Sequence, residues 1–386
     1  MTEQVVVLGS GYAGAGAVKS LERSLPKNAE ITWISDVDYH LVLHESHRCI
    51  RDPSVQEHVA IPVDEIKSSD TEFIQARVTG VDTDERIVAL EDGDVAYDYL
   101  LVGIGSRTAF FGIEGLQRHA HTLKSLDDAL AIHDELKRVT REATQTDPAN
   151  VLIGGAGLTG IQVAGEVAGF RDERDAPLEL TLVEGLDEVF PGNDESIQQA
   201  LRKRLETRDI EILTGEFISE VDETTVYIGE DGELDYDMLI WTGGITGREP
   251  VREANVDKDE RSFRLKTDKT FQTSNDRVFA IGDAALIAQN GDPAPPTAQA
   301  AWQAAEVAGK NLSRAVQDKP LKEWTYKNKG TVVSVGEDAV AHDVYVVPFK
   351  STFGGPAART LKKAIATRWI RDLTGTRDAL SAWSEM

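Results

Sequence analysis

The chain has 386 residues, too many for one ordinary hydrophobic core, so two or three domains are expected. Its formal net charge of −25 is dispersed along a sequence with an ordinary 41% apolar content, which excludes a disordered acidic tail and argues against nucleic acid as a partner. Such a surface is the kind kept solvated in high salt, as in a halophile. A single cysteine, Cys49, excludes an internal disulfide and any cysteine-pair redox centre.

The chain opens on Val5-Val6-Val7-Leu8, a buried parallel strand by composition, followed at once by Gly9-Ser10-Gly11-Tyr12-Ala13-Gly14. That is G-x-G-x-x-G at a strand-to-helix turn. Gly9 makes the turn, Gly11 lets backbone approach a pyrophosphate, and Gly14 lets the next helix pack against the strand. Met1-Thr2-Glu3-Gln4 leaves no room for a signal peptide, and no apolar run approaches the roughly 18 residues that span a bilayer. A cytoplasmic protein is therefore expected. Glu30 to Ile34 reads as the second strand, ending at Ser35-Asp36, where a dinucleotide fold wants an acid for the adenosine ribose. Asp36 is the candidate. His40, His44 and His47 follow closely, but no cysteine or acid cluster is spaced to complete a metal site, so no metal is expected. Glu72 to Val78 reads as a strand, and Ile87–Leu90 with Val95–Tyr97 as a hairpin. Asp98 to Ser106 reads as a buried strand leaving through Gly103 and Gly105. Ser125 caps a helix running to Val139.

At Val151 the opening pattern returns: Val151-Leu152-Ile153, then Gly155, Gly157 and Gly160. The following strand, Leu178 to Val183, ends at Glu184, 24 residues past Gly160. An acid there accepts both hydroxyls of an adenosine ribose and repels a 2′-phosphate, which favours NADH over NADPH. Tyr236 to Thr242 is a second buried strand with a glycine exit, at Gly243 and Gly244. Arg277 to Ile281 is a strand running into Gly282-Asp283, read as a helix start facing a phosphate. Two dinucleotide sites in one chain suggest a hydride donor paired with a bound flavin.

On these residues the chain resembles the two-dinucleotide flavoprotein reductases, and within them the type II NADH dehydrogenases, single-chain NADH:quinone oxidoreductases that do not pump protons. Tyr39-His40-Leu41, Ala298-Gln299-Ala300-Ala301-Trp302-Gln303 and Lys329-Gly330-Thr331-Val332-Val333-Ser334-Val335-Gly336 carry the narrower likeness, which covers about residues 3 to 340. The resemblance implies an α/β fold with two Rossmann-like domains and a small α+β C-terminal domain. Residues 1–115 and 262–318 would bind FAD, residues 116–261 would bind NADH, and residues 319–386 would complete the chain. It places Gly9, Gly11, Gly14, Ser35 or Asp36, Val78, Gly105, Gly282 and Asp283 around FAD. Around NADH it places Gly155, Gly157, Gly160, Gln162, Glu184, Gly243 and Gly244, and it sets Gln299 and Gln303 between flavin and a menaquinone-like acceptor. The family's ribose acid falls on Ser35, its glutamate beside the nicotinamide on Gln162, and the glycine closing its glutamine motif on Ala305.

Thr360 to Leu373 reads as a helix with a ridge of Leu361, Ile365, Trp369 and Leu373, amid Arg359, Lys362, Lys363, Arg368 and Arg371. The resemblance sets this region, 359–373, on the inner face of the cell membrane, where quinone enters. A helix packed on its own domain or on a dimer partner is the alternative. Sulfide:quinone and disulfide reductases need redox cysteines that Cys49 alone cannot supply. A reductase of a small iron–sulfur protein and a non-catalytic NAD(H)-sensing flavoprotein both stay open at this stage.

Overall fold

The computed structural model describes residues 2–345 and 352–385. Two parallel five-stranded sheets form its centre. The first runs in the order Val278–Ala280, Tyr99–Val102, Glu3–Leu8, Ala29–Ser35, Thr71–Gln75. Val5 to Leu8 are fully buried, as a parallel strand covered on both faces requires. The second runs Ala120–His121, Met238–Trp241, Ala149–Gly154, Leu178–Glu184, Ile210–Thr214. The mixed α/β fold expected from the sequence is the one observed. Because Val278–Ala280 pairs with Tyr99–Val102, segments far apart in the chain share the first sheet.

Each sheet carries a three-stranded antiparallel meander: Val78–Asp82, Ile87–Leu90 and Gly93–Ala96 on the first, Ile218–Val221, Thr225–Ile228 and Gly232–Asp235 on the second. The strand expected over Glu72–Val78 is in fact two. Its parallel partner ends at Ser35, whose carbonyl takes a last bond from Ala76 N, and Val78 instead opens the meander opposite Leu90.

Gly282-Asp283 does not open a long helix. Gly282 has φ +69°, and Arg264 donates to the carbonyls of Asp283 (2.8 Å) and Ala285 (2.6 Å), taking acceptors that a continuing helix would use. A single 3-10 turn, Gly282–Ala284, results. The long helix begins at Ala298, capped by the Thr297 hydroxyl on Ala300 N.

After residue 330 come the antiparallel strands Thr331–Val335, Asp338–His342 and Thr352–Gly354, then helices Pro356–Thr374 and Thr376–Glu385. Proline in the first turn suits the longer helix, and Gly375, at φ +113°, ends it. Its i+4 ridge does not form one outward face. Trp369 and Leu373 are buried, Leu361 is half-buried, and only Ile365 is exposed. Among the described residues, no helix is long and apolar enough to cross a membrane.

Candidate active site

The two glycine turns are near copies. Gly9 and Gly155 both have φ +94°, a left-handed conformation that glycine alone adopts without strain. A Cβ on Gly14 would lie 1.7 Å from the Gly9 carbonyl oxygen, and one on Gly160 1.8 Å from that of Gly155. Gly11 and Gly157 differ in kind: among the described residues nothing lies within 4 Å of where their Cβ would be. Each is also the N-cap of its helix, Tyr12–Ser24 or Leu158–Arg174, with no side chain bonded to the first amides. Open space in front of free helix-end N–H groups fits a pyrophosphate, and it occurs twice. The turn carbonyls are fixed from behind. Trp33 Nε1 donates to Gly9 O at 2.9 Å, and the Thr242 hydroxyl lies 2.9 Å from both Gly154 O and Gly155 O.

Glu184 stands at the end of its strand, as its position predicts. Its carboxylate accepts from Ala156 N (2.7 Å) inside the second glycine turn and from Leu186 N (3.0 Å). At the first site the two candidates part. Ser35 is buried and its hydroxyl lies 2.9 Å from that of Ser10, which donates to Tyr39 O at 2.8 Å. Asp36 is exposed, with Arg248 at 3.6 Å.

The glycine exits lie beside these turns. Gly103 N bonds Leu8 O, and Gly105, at φ +70°, has open space on its Cβ side. Gly282 packs on Ala13 of the first phosphate helix, while Gly243 and Gly244 lie against Trp241 and Phe111. Asp283 accepts from the Ser106 hydroxyl (3.1 Å), which Lys124 Nζ approaches at 3.4 Å. Burial pushes the Lys124 ammonium down from its ordinary range, against the pull of Asp283. Gln299 and Gln303 are committed to backbone. Gln299 accepts from Lys329 N (2.8 Å) and donates to Gly330 O (3.1 Å), and Gln303 donates to Lys327 O (2.9 Å). They hold the segment that leads into the C-terminal strands. Ala305 is fully buried, and Gly16 on the facing helix makes room for it: a Cβ on Gly16 would lie 2.8 Å from that of Ala305.

The histidine segment is a strand, Tyr39–Leu41, followed by a 3-10 helix, Leu43–Ile50. His40 Nδ1 donates to Ser10 O (2.7 Å) while Nε2 accepts from Trp369 Nε1 (2.8 Å), so the C-terminal helix is tied to the first glycine turn through a neutral imidazole. Burial lowers His40 to about 4. The Trp369 ring stacks on Tyr12 at 4.8 Å and meets Trp302 of the glutamine motif edge-on at 4.7 Å.

His44 bonds the Tyr12 hydroxyl through Nδ1. His47 Nε2 lies 3.0 Å from the Ser334 hydroxyl, and Lys362 Nζ donates to both, at 3.1 Å and 2.6 Å. Gln162, buried, donates to the same Ser334 hydroxyl at 3.2 Å. The Lys362 counter-ion is Glu45, at 3.4 Å. Beside this cluster Arg51 pairs with buried Glu166 (3.0 Å), with Glu173 (3.0 Å) and with Glu337.

Residues 3–305 match the family described as pyridine nucleotide-disulphide oxidoreductase. Type II NADH:quinone oxidoreductases of Staphylococcus aureus strains are 30% identical over 392 residues, spanning 97% of this chain and 96% of the relative. The chain belongs to the type II NADH:quinone oxidoreductases. Its fold agrees. An NDH2 from Plasmodium falciparum in complex with NADH superposes with a TM-score of 0.85 at 18% identity, covering 100% of this chain and 98% of that one. The sulfide:quinone oxidoreductase of Aquifex aeolicus follows at 0.81 and 18% identity, covering 97% and 92%.

What the sequence did not show is that Glu45, Ser334 and Lys362 come together and that Tyr12 stacks on Trp369. The available signal was the spacing of three between His44 and His47, and between Glu45 and Arg48, which stacks side chains on a 3-10 turn. Ser334, Lys362 and Trp369 are hundreds of residues away.

Proposed function

We infer that this chain oxidises NADH and passes the electrons through FAD to a quinone. The observation that carries this is the pair of matching glycine turns in a chain aligned nearly end to end with type II NADH:quinone oxidoreductases. FAD, when bound, supplies the two-electron chemistry between nicotinamide and quinone. The protein supplies binding and orientation.

In this reading Gly9, Gly11 and Gly14, with Gly105, Gly282 and Asp283, hold FAD, and Val78 borders it. Asp36 takes the adenosine ribose, because the Ser35 hydroxyl is already held by Ser10. Gly155, Gly157 and Gly160 hold the NADH pyrophosphate, with Gly243 and Gly244 opposite. Glu184 reads the ribose hydroxyls, and the exposed Phe217 ring, lying over Gly185, beds the adenine. Gln162 steadies the nicotinamide side through Ser334. Gln299 and Gln303 act by positioning residues 327–330. The acceptor is a menaquinone-like molecule. The lipid contact we propose is the outer side of the last two helices, where Ile365, Leu380 and Trp383 are exposed with Arg359, Arg368, Arg371 and Arg377.

The test is anaerobic. Protein purified in high salt carries a flavin spectrum, NADH bleaches it, and menadione restores it. Bleaching without recovery would move the acceptor to another class, and protein that cannot be loaded with FAD would refute the reading.

A further inference from the structure

Oxidation of NADH by a quinone is NADH + H⁺ + Q → NAD⁺ + QH₂. The hydride supplies two electrons and one of the two hydrogens, so one proton must come from elsewhere. Where the family often has a glutamate beside the nicotinamide this chain has Gln162, whose amide holds no exchangeable acid proton at neutral pH. A substitute source has to lie within reach.

One does. Glu45 and His44 sit on the Leu43–Ile50 turn between the first phosphate helix and the C-terminal helix. His44 Nε2 lies 3.6 Å from Glu45 Oε1, and that oxygen lies 3.4 Å from Lys362 Nζ. Among the described residues neither His44 Nε2 nor Glu45 Oε1 has a hydrogen-bond partner, although both are buried atoms. His44 is the most exposed of the three. The His44 side chain is 21% exposed, those of Lys362 and Glu45 10% and 6%. Beyond Lys362, one hydroxyl, Ser334, joins the row to Gln162 on the NADH side.

We propose that His44 and Glu45 form an internal proton relay that feeds the quinone side of the site through Lys362, a role that rests on the quinone reading above. In the step itself, a Lys362 N–H bond breaks, its electron pair stays on Nζ, and an O–H bond forms on the quinone oxygen as it receives electrons. The charged His44 ring then gives its Nε2 proton to the Glu45 carboxylate at Oε1, and the carboxyl so formed passes a proton on to the neutral Nζ. Solvent returns a proton to His44. The Tyr12 hydroxyl accepts from Nδ1–H of the charged ring and goes on accepting from it once the Nε2 proton has left, which holds the ring in the tautomer whose Nε2 can take up the next proton.

The groups facing Glu45 are His44 and Arg48 on its own turn, Tyr12 on the phosphate helix and Lys362 on the C-terminal helix. His47, and Glu166 from the second phosphate helix, act on Lys362. Their balance suits a relay. Burial lowers Lys362 against the pull of Glu45 and Glu166, and burial lowers His44 against the pull of Glu45, so both give up protons more readily than in water.

The test is Glu45→Gln in the FAD-loaded protein, read by anaerobic stopped flow and by NMR of ¹⁵N-labelled histidine. NADH should bleach the variant nearly as fast as the native protein. Reoxidation by menadione should slow about a hundredfold and fall further with rising pH, where the native rate stays level. Glu45→Asp should restore most of it. The His44 titration should move to lower pH in Glu45→Gln, while that of His40 stays in place. Reoxidation at the native rate with the native pH profile would overturn the relay. So would equal slowing of both half-reactions with no rescue by aspartate, which marks a purely structural role. If menadione fails to reoxidise the native protein, it is the quinone reading that falls, and the relay with it.

Discussion

Glu184 combines two tasks that a single substitution separates. Its carboxylate closes the second glycine turn through Ala156 N and Leu186 N, and in the NADH reading proposed above the same charge faces the ribose 2′ position. A hydrogen bond to a charged group contributes about 1.5–3 kcal/mol, so removing the charge matters to selectivity on the scale of ten- to a hundredfold. Glu184→Gln keeps an acceptor for one of the two amides and loses the repulsion of a phosphate. The kcat/KM for NADPH relative to NADH should rise by about tenfold or more, mostly through KM. An unchanged ratio in steady-state assays with both nucleotides would take Glu184 away from the ribose.

The C-terminal helix shows what a periodic pattern conveys and what it withholds. The i+4 ridge announces a helix with an apolar side, yet nothing in the spacing says that Trp369 turns inward onto Tyr12, His40 and Trp302. That docking depends on His40 being neutral, with Nε2 free to accept from Trp369. Its lowered value, about 4, sets the sign of a pH dependence. Between pH 4 and about 6.5 the unfolded chain binds a proton here that the folded chain refuses, so stability is full above about 6.5 and is lost as pH falls. From pH 7 to pH 5 His40 alone should remove about 2 kcal/mol from the free energy of unfolding in urea, at 1.4 kcal/mol per unit. In His40→Gln, which keeps a donor and an acceptor but does not titrate, the loss should be visibly smaller. Equal losses in both proteins would mean that His40 is not the titrating group. The same contrast governs the rest of the site. The glycine turns and Glu184 are legible because each is written within about 35 consecutive residues. Gln162, His47, Ser334, Lys362 and Glu45 meet across separations of up to 317 residues, and no local pattern records such a meeting.

At the scale of the molecule, the net charge of −25 meets a structure that buries two of its ion pairs. Arg51 with Glu166 and Lys362 with Glu45 are shielded from solvent, so added salt screens them little. The surplus acids are on the surface, where they repel one another over roughly a Debye length, about 10 Å at ~0.1 M salt and about 3 Å at ~1 M. Pairs such as Arg138 with Glu135 and Glu142 are exposed, and each contributes little. Raising salt therefore weakens the repulsion more than the attraction, and the melting temperature should climb steadily with sodium chloride across that range. Sodium chloride and sodium sulfate distinguish the cause. If screening dominates, melting temperatures coincide at equal ionic strength. If exclusion of the salt from the surface dominates, sulfate raises them further. A melting temperature that falls or stays level as chloride rises would show that the acidic surface does not set the stability of the fold.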